Sequence, residues 1–502
     1  MTLLFRADAS IAIGTGHVMR CLALAQAWQG AGGKALFAME EATPSIDARL
    51  RGEGFEIAQL KATPGSPADA EETAALAHTR DASWVVADSY KFGADYQAGL
   101  KSRGLKVLFL DDYGHAQHYS ADLVLNQNIQ DGEALYRDRE PHTRLLLGPR
   151  FALLRREFAA WRAWKRAIPQ TAQRLLVTMG GSDPANLTRQ VVEAILSFPQ
   201  VQTTVVVGGS NPHLPELRTL AATGNGNIWI EEDVTNMDEL MSAADVAIAA
   251  AGTTSWELTC LGLPALLIVV ASNQRFAAEE LHRCGAAVNL GNAADVSVLS
   301  LSSHLANLID SQHIRAAMSE RGKALVDGCG AARVVRVLRN QELRIRRAIE
   351  ADCKPLWELA NDPTVRAVAF SAAPILWEDH IAWFKAKMQT PTCYLLIAEI
   401  QGAFAGQVRV EQRQNGEGEI NVSVARQFRG QGLGSHLIDL AVRELLDSTT
   451  MARLHAYILP QNIASRSAFE NAGFQSVGEV RQKGFLALHY IRARNEEFAR
   501  VG

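Results

Sequence analysis

Two glycine-rich loops near opposite ends of the chain have the composition of anion-binding sites. The first, Gly14-Thr15-Gly16-His17, joins an apolar run to a helical pattern, and the second, Arg429-Gly430-Gln431-Gly432-Leu433-Gly434, follows an alternating strand pattern and opens another helix. Each loop places free backbone N–H groups at a helix N-terminus, where the dipole and the unpaired donors favour phosphate. The sequence therefore predicts two active sites for different ligands.

A histidine beside the first loop is placed to act as a base. His17 is expected in the first turn of a helix at the carboxyl edge of a parallel sheet, where ligands bind in this architecture. A helix N-terminus disfavours the imidazolium and leaves a neutral ring that takes a proton from water. The loop continues Met19-Arg20 and lacks the third glycine of G-x-G-x-x-G, which makes a dinucleotide site improbable.

Two more loops precede helical patterns further along the chain. Residues 179–183 read Met-Gly-Gly-Ser-Asp, and residues 250–257 read Ala-Ala-Gly-Thr-Thr-Ser-Trp-Glu. The second loop offers N–H groups and hydroxyls to a diphosphate, and Glu257 is placed to accept both hydroxyls of a ribose. The alternative is a pair of tight turns with an N-cap at Ser255 and a solvated Glu257.

Short apolar runs alternate with helical patterns over the part of the chain that carries these loops, which predicts parallel sheets covered by helices. The first series has predicted strands at residues 3–6, 34–39, 84–87, 106–110 and 123–125 and helices at 18–30 and 68–79. The second has predicted strands at residues 174–179, 203–207, 228–230, 246–249 and 265–270 and helices at 187–197, 237–242, 255–260 and 275–282. We expect two facing Rossmann-like domains, residues 1–168 and 169–340, with a cleft between them.

The pattern changes in the last part of the chain. A strand at 344–348, helices at 352–361 and 377–388, and alternating strands at 394–399, 404–411 and 419–425 predict an α+β domain over residues 343–502.

Composition narrows the classes of partner. The formal net charge of −4 gives no support to nucleic acid or an anionic membrane as a partner, and small anionic ligands fit better. The six cysteines form no C-x-x-C pair, and the thirteen histidines form no ligand cluster, so no metal is expected. We expect a soluble, cytoplasmic protein. The sequence leaves the oligomeric state open.

An ordered set of segments over residues 1–340 resembles the UDP-2,4-diacetamido-2,4,6-trideoxy-β-L-altropyranose hydrolases of pseudaminic acid biosynthesis, which have the GT-B fold. The set comprises the His17 loop, Ala87-Asp88-Ser89-Tyr90, residues 147–155, Gly180-Gly181-Ser182-Asp183, and Ala251-Gly252-Thr253-Thr254 with Glu257 and Asn273-Gln274. The resemblance implies metal-free hydrolysis of a UDP-sugar at the anomeric carbon.

The resemblance also assigns roles to matching positions. His17 would activate or orient the attacking water, with Tyr90 supporting the site, and Glu257 would hold the nucleoside. The residues that would line the diphosphate and sugar are Gly16, Gly252, Thr253, Thr254 and Asn273, with Asn186 as a less certain ligand.

The second glycine loop resembles the acetyl-CoA loop of the GNAT N-acetyltransferases, and residues 462–474 match that family's second signature. In this family the strand before the loop separates from its neighbour, and its backbone polarises the thioester carbonyl. The residues that the resemblance assigns to acetyl-CoA are Val422, Val424, Arg429, Gly430, Gln431, Gly432, Leu433, Gly434, Ser435, Asn462, Ser465 and Phe469.

Two proton-transfer roles stay open in the GNAT region. Glu399, Glu411 and Glu419 are candidate bases for the amine. Many members of the family have a tyrosine, the usual general acid toward the thiolate, where this chain has Phe469. Ser465, Tyr457 or solvent would then supply that proton.

Together the two resemblances predict one chain that acetylates the 4-amino group of a UDP-linked sugar and then removes UDP. Three alternatives remain: a GT-B glycosyltransferase, an acetyltransferase for another amine, and a non-catalytic sugar-nucleotide sensor.

Overall fold

The computed structural model describes residues 1–10, 13–128, 132–209, 211–400, 402–413, 415–430 and 432–494. Gln431, one of the residues predicted to bind acetyl-CoA, lies outside these ranges. The chain forms two compact units, Met1–Val335 and Arg336–Gly502.

The first unit begins with a parallel sheet in the order β3-β2-β1-β4-β5-β6-β7. Its strands are β1 (Thr2–Ala7), β2 (Lys34–Met39), β3 (Glu56–Gln59), β4 (Ala82–Asp88), β5 (Lys106–Leu110), β6 (Leu123–Asn126) and β7 (Arg144–Leu147). The accompanying helices are α1 (Gly16–Gly30), α2 (Pro44–Gly52), α3 (Pro67–Thr79) and α4 (Ala94–Ser102), with 3₁₀ turns at Gly132–Tyr136, Pro149–Phe151 and Arg156–Trp161. Leu3, Leu4 and Phe5 are fully buried, because helices cover both faces of a doubly wound sheet.

A second parallel sheet in the same unit has the order β10-β9-β8-β11-β12-β13. Its strands are β8 (Arg174–Thr178), β9 (Gln202–Val207), β10 (Ile228–Glu232), β11 (Val246–Ala250), β12 (Ala265–Val269) and β13 (Val288–Asn292). Its helices are α5 (Leu187–Ile195), α6 (Leu214–Ala221), α7 (Met237–Ala243), α8 (Thr254–Cys260), α9 (Arg275–Arg283), α10 (Val298–Asp310), α11 (Gln312–Leu325) and α12 (Gly330–Asn340), with 3₁₀ turns at Ser272–Gln274 and Ala293–Asp295. In each sheet the order in which strands are added reverses beside the first strand, between β1 and β4 and between β8 and β11. Ligands bind at such a point in doubly wound sheets, and the carboxyl ends of these four strands carry the loops of interest.

The second unit contains the sheet β14-β15-β16-β17-β18-β20-β19. Its strands are β14 (Leu343–Arg347), β15 (Cys393–Ile400), β16 (Ala403–Gln412), β17 (Glu417–Val424), β18 (Arg453–Ile458), β19 (Gln475–Gln482) and β20 (Phe485–Ala493). Its helices are α13 (Cys353–Ala360), α14 (Pro363–Arg366), α15 (Trp377–Gln389), α16 (Leu433–Ser448) and α17 (Ile463–Asn471), with 3₁₀ turns at Glu350–Asp352 and Arg426–Phe428. Neighbouring strands are antiparallel except β17 and β18, which pair in parallel over three residues of each.

The predicted strands and helices are present, and their ends lie within two residues of the predicted ones; α1, for example, starts at Gly16 rather than at residue 18. The sequence pattern missed several elements: β3, β7, β13, α2, α4, α6 and α10 to α12 in the first part of the chain, and α14 and β18 to β20 in the last part. In the described ranges no helix is long and apolar enough to cross a membrane.

Candidate functional sites

Three loops of the first unit meet at the carboxyl edges of its two sheets. A Cβ built on Gly16 would lie 3.7 Å from Thr253 Oγ1, and one built on Gly181 would lie 3.1 Å from Thr15 Oγ1. The loop before α1 therefore touches both the loop after β8 and the loop after β11. Any larger side chain at Gly181 would have to displace Thr15.

His17 is a largely buried residue in the first turn of α1. Its side chain is 11% exposed, its Nδ1 lies 4.0 Å from Asp88 Oδ1, and its ring packs edge-on against Tyr90 at 4.7 Å between centroids. Burial lowers the pKa of His17, and the charge of Arg20 lowers it further, although Asp88 opposes both. The ring is therefore neutral at neutral pH, as predicted, but burial rather than the helix N-terminus is the main cause.

Tyr90 connects the two halves of the first unit. Its hydroxyl donates a short hydrogen bond to Asp112 and accepts one of 2.6 Å from Asn273 Nδ2, which belongs to the loop after β12. Burial and the neighbouring Asp112 raise the pKa of Tyr90, so the phenol keeps its proton. The structure thus brings together three of the predicted residues, His17, Tyr90 and Asn273, from distant parts of the sequence.

A buried ionic network lies behind this cluster. Arg20 donates to both carboxylate oxygens of Asp88, at 2.6 and 2.7 Å, and to Asp112 Oδ1 at 2.6 Å. Asn128 also donates to Asp112, at 2.6 Å, and accepts a 3.1 Å bond from the indole of Trp256 in α8. Burial alone would raise the pKa of Asp112, but Arg20 outweighs it and holds that pKa below its ordinary value.

Sequence reasoning gave no role to Arg20, Asp112, Asn128 or Trp256. The available signal was a charged residue within the apolar pattern of α1 and a pair of aspartates, Asp111-Asp112, directly after β5. A buried arginine requires anionic partners, although the sequence does not say which ones.

The predicted nucleotide loop has partly accessible residues at Gly252, Thr253 and Thr254. Thr253, not Ser255, occupies the N-cap position of α8, and the Ser255 hydroxyl donates to Gly252 O at 2.6 Å. Glu257 is not solvated, because its Oε1 accepts bonds of 3.1 and 2.9 Å from Arg155. Burial raises the pKa of Glu257, and Arg155 opposes that rise.

Asn186, the less certain of the predicted ligands, makes contacts within its own half of the first unit. It has a left-handed backbone (φ 50°), and its Nδ2 donates to Glu216 in α6 at 2.9 Å. The adjacent Asp183 caps α5, accepting from the backbone N–H groups of Leu187 and Thr188 at 2.9 and 2.8 Å. These contacts give the 180–186 turn a structural role.

The glycine loop of the second unit has the backbone that a close-fitting anion cradle requires. Gly430 and Gly432 have φ of 71° and 70°, a region that other residues rarely adopt. A Cβ on Gly434 would lie 3.5 Å from Ala468, so α16 and α17 approach closely there. Leu433 is buried in the core, whereas Ser435 is partly accessible.

The strands before this loop separate as the resemblance implies. β17 pairs with β18 only from Glu417 to Glu419, opposite Arg453 to His455. Val422 and Val424 continue to pair with β16 but lie beyond the ladder with β18. The edge of β17 that faces β18 is therefore unpaired at these two residues. The resemblance to GNAT enzymes implies that the thioester binds in the opening beside this edge.

Other predicted residues of this region make intramolecular contacts. Arg429 donates to Val424 O at 2.8 Å and to Asp362 at 3.0 Å, which ties the loop to α14. Asn462 caps α17 by accepting from the Ser465 N–H at 3.1 Å. Phe469 is 5% exposed and packs edge-on against Phe474 in the core. The predicted contact of Phe469 with acetyl-CoA stays a prediction.

Each of the three candidate bases is already paired with a cation. Glu399 lies 2.7 Å from Arg346. Glu411 lies 2.7 Å from Lys387, and Glu419 lies 2.7 Å from Arg413. A paired carboxylate is a weaker base than a free one, so the surroundings of these three glutamates favour none of them as the base for the amine. Across the described residues, no group of three or more His, Cys, Asp or Glu side chains is arranged to hold a metal ion.

Comparison with known proteins assigns both regions. A model of the acetyltransferase (GNAT) domain matches residues 342–475, and a model of the glycosyltransferase family 28 C-terminal domain matches residues 175–328. An uncharacterized protein of Methanocaldococcus jannaschii is 23% identical over 492 residues, which cover 95% of this chain and 98% of that protein.

Two relatives match the first unit. The spore coat polysaccharide biosynthesis protein SpsG of Bacillus subtilis is 30% identical over 240 residues, 47% of this chain and 69% of that protein. The UDP-2,4-diacetamido-2,4,6-trideoxy-β-L-altropyranose hydrolase of Campylobacter jejuni is 26% identical over 289 residues, 57% of this chain and 97% of that enzyme. The chain is a fusion of a GT-B-like region, homologous to a UDP-sugar hydrolase, with a C-terminal GNAT acetyltransferase domain. It belongs to the family of the spore coat protein SpsG.

Proposed function

We propose that this chain catalyses two successive steps on a UDP-linked amino sugar in the cytoplasm. The GNAT domain transfers acetyl from acetyl-CoA to the sugar's 4-amino group. The GT-B-like region then hydrolyses UDP-2,4-diacetamido-2,4,6-trideoxy-β-L-altropyranose to UDP and the free sugar, without a metal. The observation that carries the hydrolytic half is the cluster of His17, Tyr90 and Asn273 where the two halves of the first unit meet.

The hydrolytic step needs one base and a stabilised leaving group. The neutral imidazole of His17 takes a proton from water as the water oxygen bonds to the anomeric carbon. The bond from that carbon to the UDP oxygen breaks, and UDP leaves with the electron pair. N–H groups and hydroxyls of Gly252, Thr253 and Thr254 stabilise its charge. Tyr90, whose hydroxyl is held by two hydrogen bonds, packs against the imidazole and orients it.

The acetyl transfer uses the second glycine loop and the strand opening beside it. The loop at Gly430 and Gly432 would hold the pyrophosphate of acetyl-CoA, with the thioester in the opening next to Val422 and Val424. The deprotonated sugar amine attacks the thioester carbon, the C–S bond breaks, and the thiolate takes up a proton. Tyr457 and Ser465 remain candidates for that donor, whereas the buried ring of Phe469 carries no acidic proton.

A glycosyltransferase is the second candidate for the first unit, because residues 175–328 match a glycosyltransferase family model. The two candidates differ in what accepts the sugar. The full-length chain is incubated with the UDP-diacetamido sugar alone and with a panel of hydroxyl acceptors, and UDP and free sugar are quantified. Equal release of UDP and free sugar in water supports hydrolysis. UDP release that requires an acceptor contradicts it and identifies a transferase.

The acetyl acceptor is tested with a panel of amines and acetyl-CoA. The panel contains UDP-4-amino-4,6-dideoxy-N-acetyl-β-L-altrosamine, a lysine peptide and a simple polyamine, and CoA release is followed for each. We expect kcat/KM to be highest for the UDP-amino sugar. A clear preference for the peptide or the polyamine would contradict the proposed acceptor.

A further inference from the structure

Three ionisable side chains on adjacent strands of the last sheet form a continuous line. Glu417 on β17 lies 3.2 Å from His455 Nε2, and His455 Nδ1 lies 2.9 Å from His489 Nε2 on β20. His455 is 7% exposed, whereas His489 and Glu417 are partly accessible. The line therefore runs from one accessible group to another through a buried ring.

The line crosses the point where the sheet opens. Glu419 and His455 are the last paired residues of β17 and β18, and the two strands separate beyond them. Tyr457, two residues further along β18, pairs with His489 and stacks on its ring at 4.7 Å between centroids. Side chains at alternate strand positions share a face, so His455, Tyr457 and His489 lie on the same face beside the opening.

The contacts of this line determine its tautomers. The Glu417 carboxylate lies 3.2 Å from His455 Nε2 as an ion-pair contact without hydrogen-bond geometry, and its charge favours the His455 tautomer that is protonated on Nε2 and accepts at Nδ1. His489 then donates from Nε2 to His455 Nδ1. Nδ1 of His489 is left with a free lone pair, which is what a base requires.

Burial and the nearby cationic groups favour the neutral form of the His489 ring. Burial lowers the pKa of His489, the charges of His455 and Arg413 lower it further, and Glu417 raises it. Arg413 also lies 3.4 Å from the Tyr457 hydroxyl and 2.7 Å from Glu419. A neutral ring beside the opening contrasts with the three nearby carboxylates, each of which is paired with a cation.

We propose that His489 is the general base of the acetyl transfer, with His455 and Glu417 as positioning residues that take up the relayed proton and stabilise its charge. The proposal rests on the acetyltransferase activity proposed above and names the base that the sequence left open.

The step balances as follows. The ammonium form of the substrate gives one proton to His489 Nδ1, and the free amine attacks the thioester carbon. As that proton arrives, the Nε2 proton of His489 passes to His455 Nδ1, and the resulting His455 imidazolium pairs with Glu417 until the proton returns through His489 to solvent. The new C–N bond forms and the C–S bond breaks. The nitrogen's second proton ends on the thiolate, giving CoA and the amide.

Kinetics of acetyl transfer in the full-length chain test the base. We expect His489→Ala to lower kcat on the UDP-amino sugar by about 10²–10³-fold, because a positioned base contributes roughly that much, with little change in the KM for acetyl-CoA. Glu444→Gln, an exposed change on α16, is the matched control and should behave as the wild type. A His489→Ala variant that keeps kcat within about twofold of the wild type would overturn the proposal.

The pH profile separates a relay from a merely structural role. Glu417 raises the pKa of His489, so Glu417→Gln should shift the acidic limb of kcat to lower pH, besides lowering kcat about tenfold. His455→Phe keeps a flat ring but removes the hydrogen bond to His489 and the ion pair with Glu417, so a similar loss in kcat is expected. An acidic limb that does not move in Glu417→Gln would contradict the relay.

Nitrogen NMR of the histidine-labelled full-length protein tests the relay without any substrate. In the wild type at pH 8 we expect a protonated Nε2 and a bare Nδ1 on His489, with signals assigned from His455→Phe and His489→Ala. A His489 ring protonated on Nδ1 would overturn the proposal even if a variant failed to fold. If the wild type acetylates no amine of the panel, the proposed activity fails by itself, and the NMR result still decides the tautomers.

Discussion

The two candidate sites of this chain are built in different ways. The proposed hydrolytic site takes His17 from the first turn of α1 and Tyr90 and Asn273 from two loops, and supports them with the buried Arg20 network. The acetyl-CoA site relies on one continuous loop, in which Gly430 and Gly432 have left-handed backbones. The first site thus depends on long-range packing, whereas the second depends on local backbone geometry. Variants that affect one site should therefore leave the other intact.

Removing the proposed water-activating residue should have the largest effect. His17→Ala should reduce UDP release from the UDP-diacetamido sugar by about 10³-fold, because the general base is lost, without changing acetyl transfer. His304→Ala, an exposed change on α10, is the control. Undiminished UDP release by His17→Ala would remove the proposed role of that residue.

Loss of the buried cation should mainly lower stability. Arg20→Met leaves Asp88 and Asp112 as uncompensated buried charges, so the free energy of unfolding of the first unit should fall by about 3–5 kcal/mol. Denaturant titration followed by tryptophan fluorescence reports on both units, which each contain tryptophans, and loss of CoA binding marks the transition that belongs to the second unit. A loss below about 1 kcal/mol would show that the network does not support the site.

A side chain in the glycine loop should weaken acetyl-CoA binding alone. Gly432→Val forces a left-handed backbone on a branched residue, which costs about 1–2 kcal/mol and should raise the acetyl-CoA KM roughly tenfold. Gly402→Val is a matched control, because Gly402 has a φ of 76° in a turn outside the loop, with no atom within 4 Å of its added Cβ. An equal KM in both variants would contradict the cradle.

Loss of the bond between the two halves should have a smaller effect. Asn273→Ala removes the 2.6 Å hydrogen bond to Tyr90, and a bond worth about 0.5–1.5 kcal/mol predicts a roughly 3- to 10-fold lower kcat/KM for hydrolysis. Asn292→Ala, which removes an exposed amide of the same half, should leave hydrolysis unchanged. Equal rates of hydrolysis in the two variants would show that the hydrogen bond between Asn273 and Tyr90 does not contribute to catalysis.

The smallest expected effect is in the pH profile of hydrolysis, whose acidic limb should lie below the usual pKa of histidine. Hydrolysis requires neutral His17, and burial lowers the pKa of that ring below the usual 6.5, so kcat/KM should fall only when the pH drops below about 6.5. A pH series of UDP release measures this limb. An acidic limb centred above 7 would assign it to another group.

The sequence allowed the local features to be predicted, including the strands and helices around each glycine loop. It did not reveal partners that are distant in the chain. Arg20 is 68 and 92 positions from the carboxylates that it binds, and Arg155 is 102 positions from Glu257. The Arg20 pairs depend on how α1 packs on the first sheet, and the Arg155 pair depends on how the two halves of the first unit meet. No local periodicity encodes either kind of packing.

The proposed base, His489, was not predicted from the sequence for the same reason. His455 and His489 lie on β18 and β20, which the pattern did not predict, and they meet only because those strands pair. Phe469, which a motif match assigned to acetyl-CoA, has its apolar ring packed against Phe474 in the core, a contact that the motif did not predict. Motifs give the position of a loop, whereas burial decides what each side chain does.

Mass spectrometry of the reaction products tests the central claim most directly. UDP-4-amino-4,6-dideoxy-N-acetyl-β-L-altrosamine is incubated with the wild type and with His17→Ala, with and without acetyl-CoA. With acetyl-CoA, the wild type should yield UDP and the free diacetamido sugar, whereas His17→Ala should accumulate the UDP-linked sugar with one added acetyl group. Without acetyl-CoA the substrate should remain intact. Loss of UDP from the unacetylated substrate, or the absence of any acetyl gain, would contradict the two-step account.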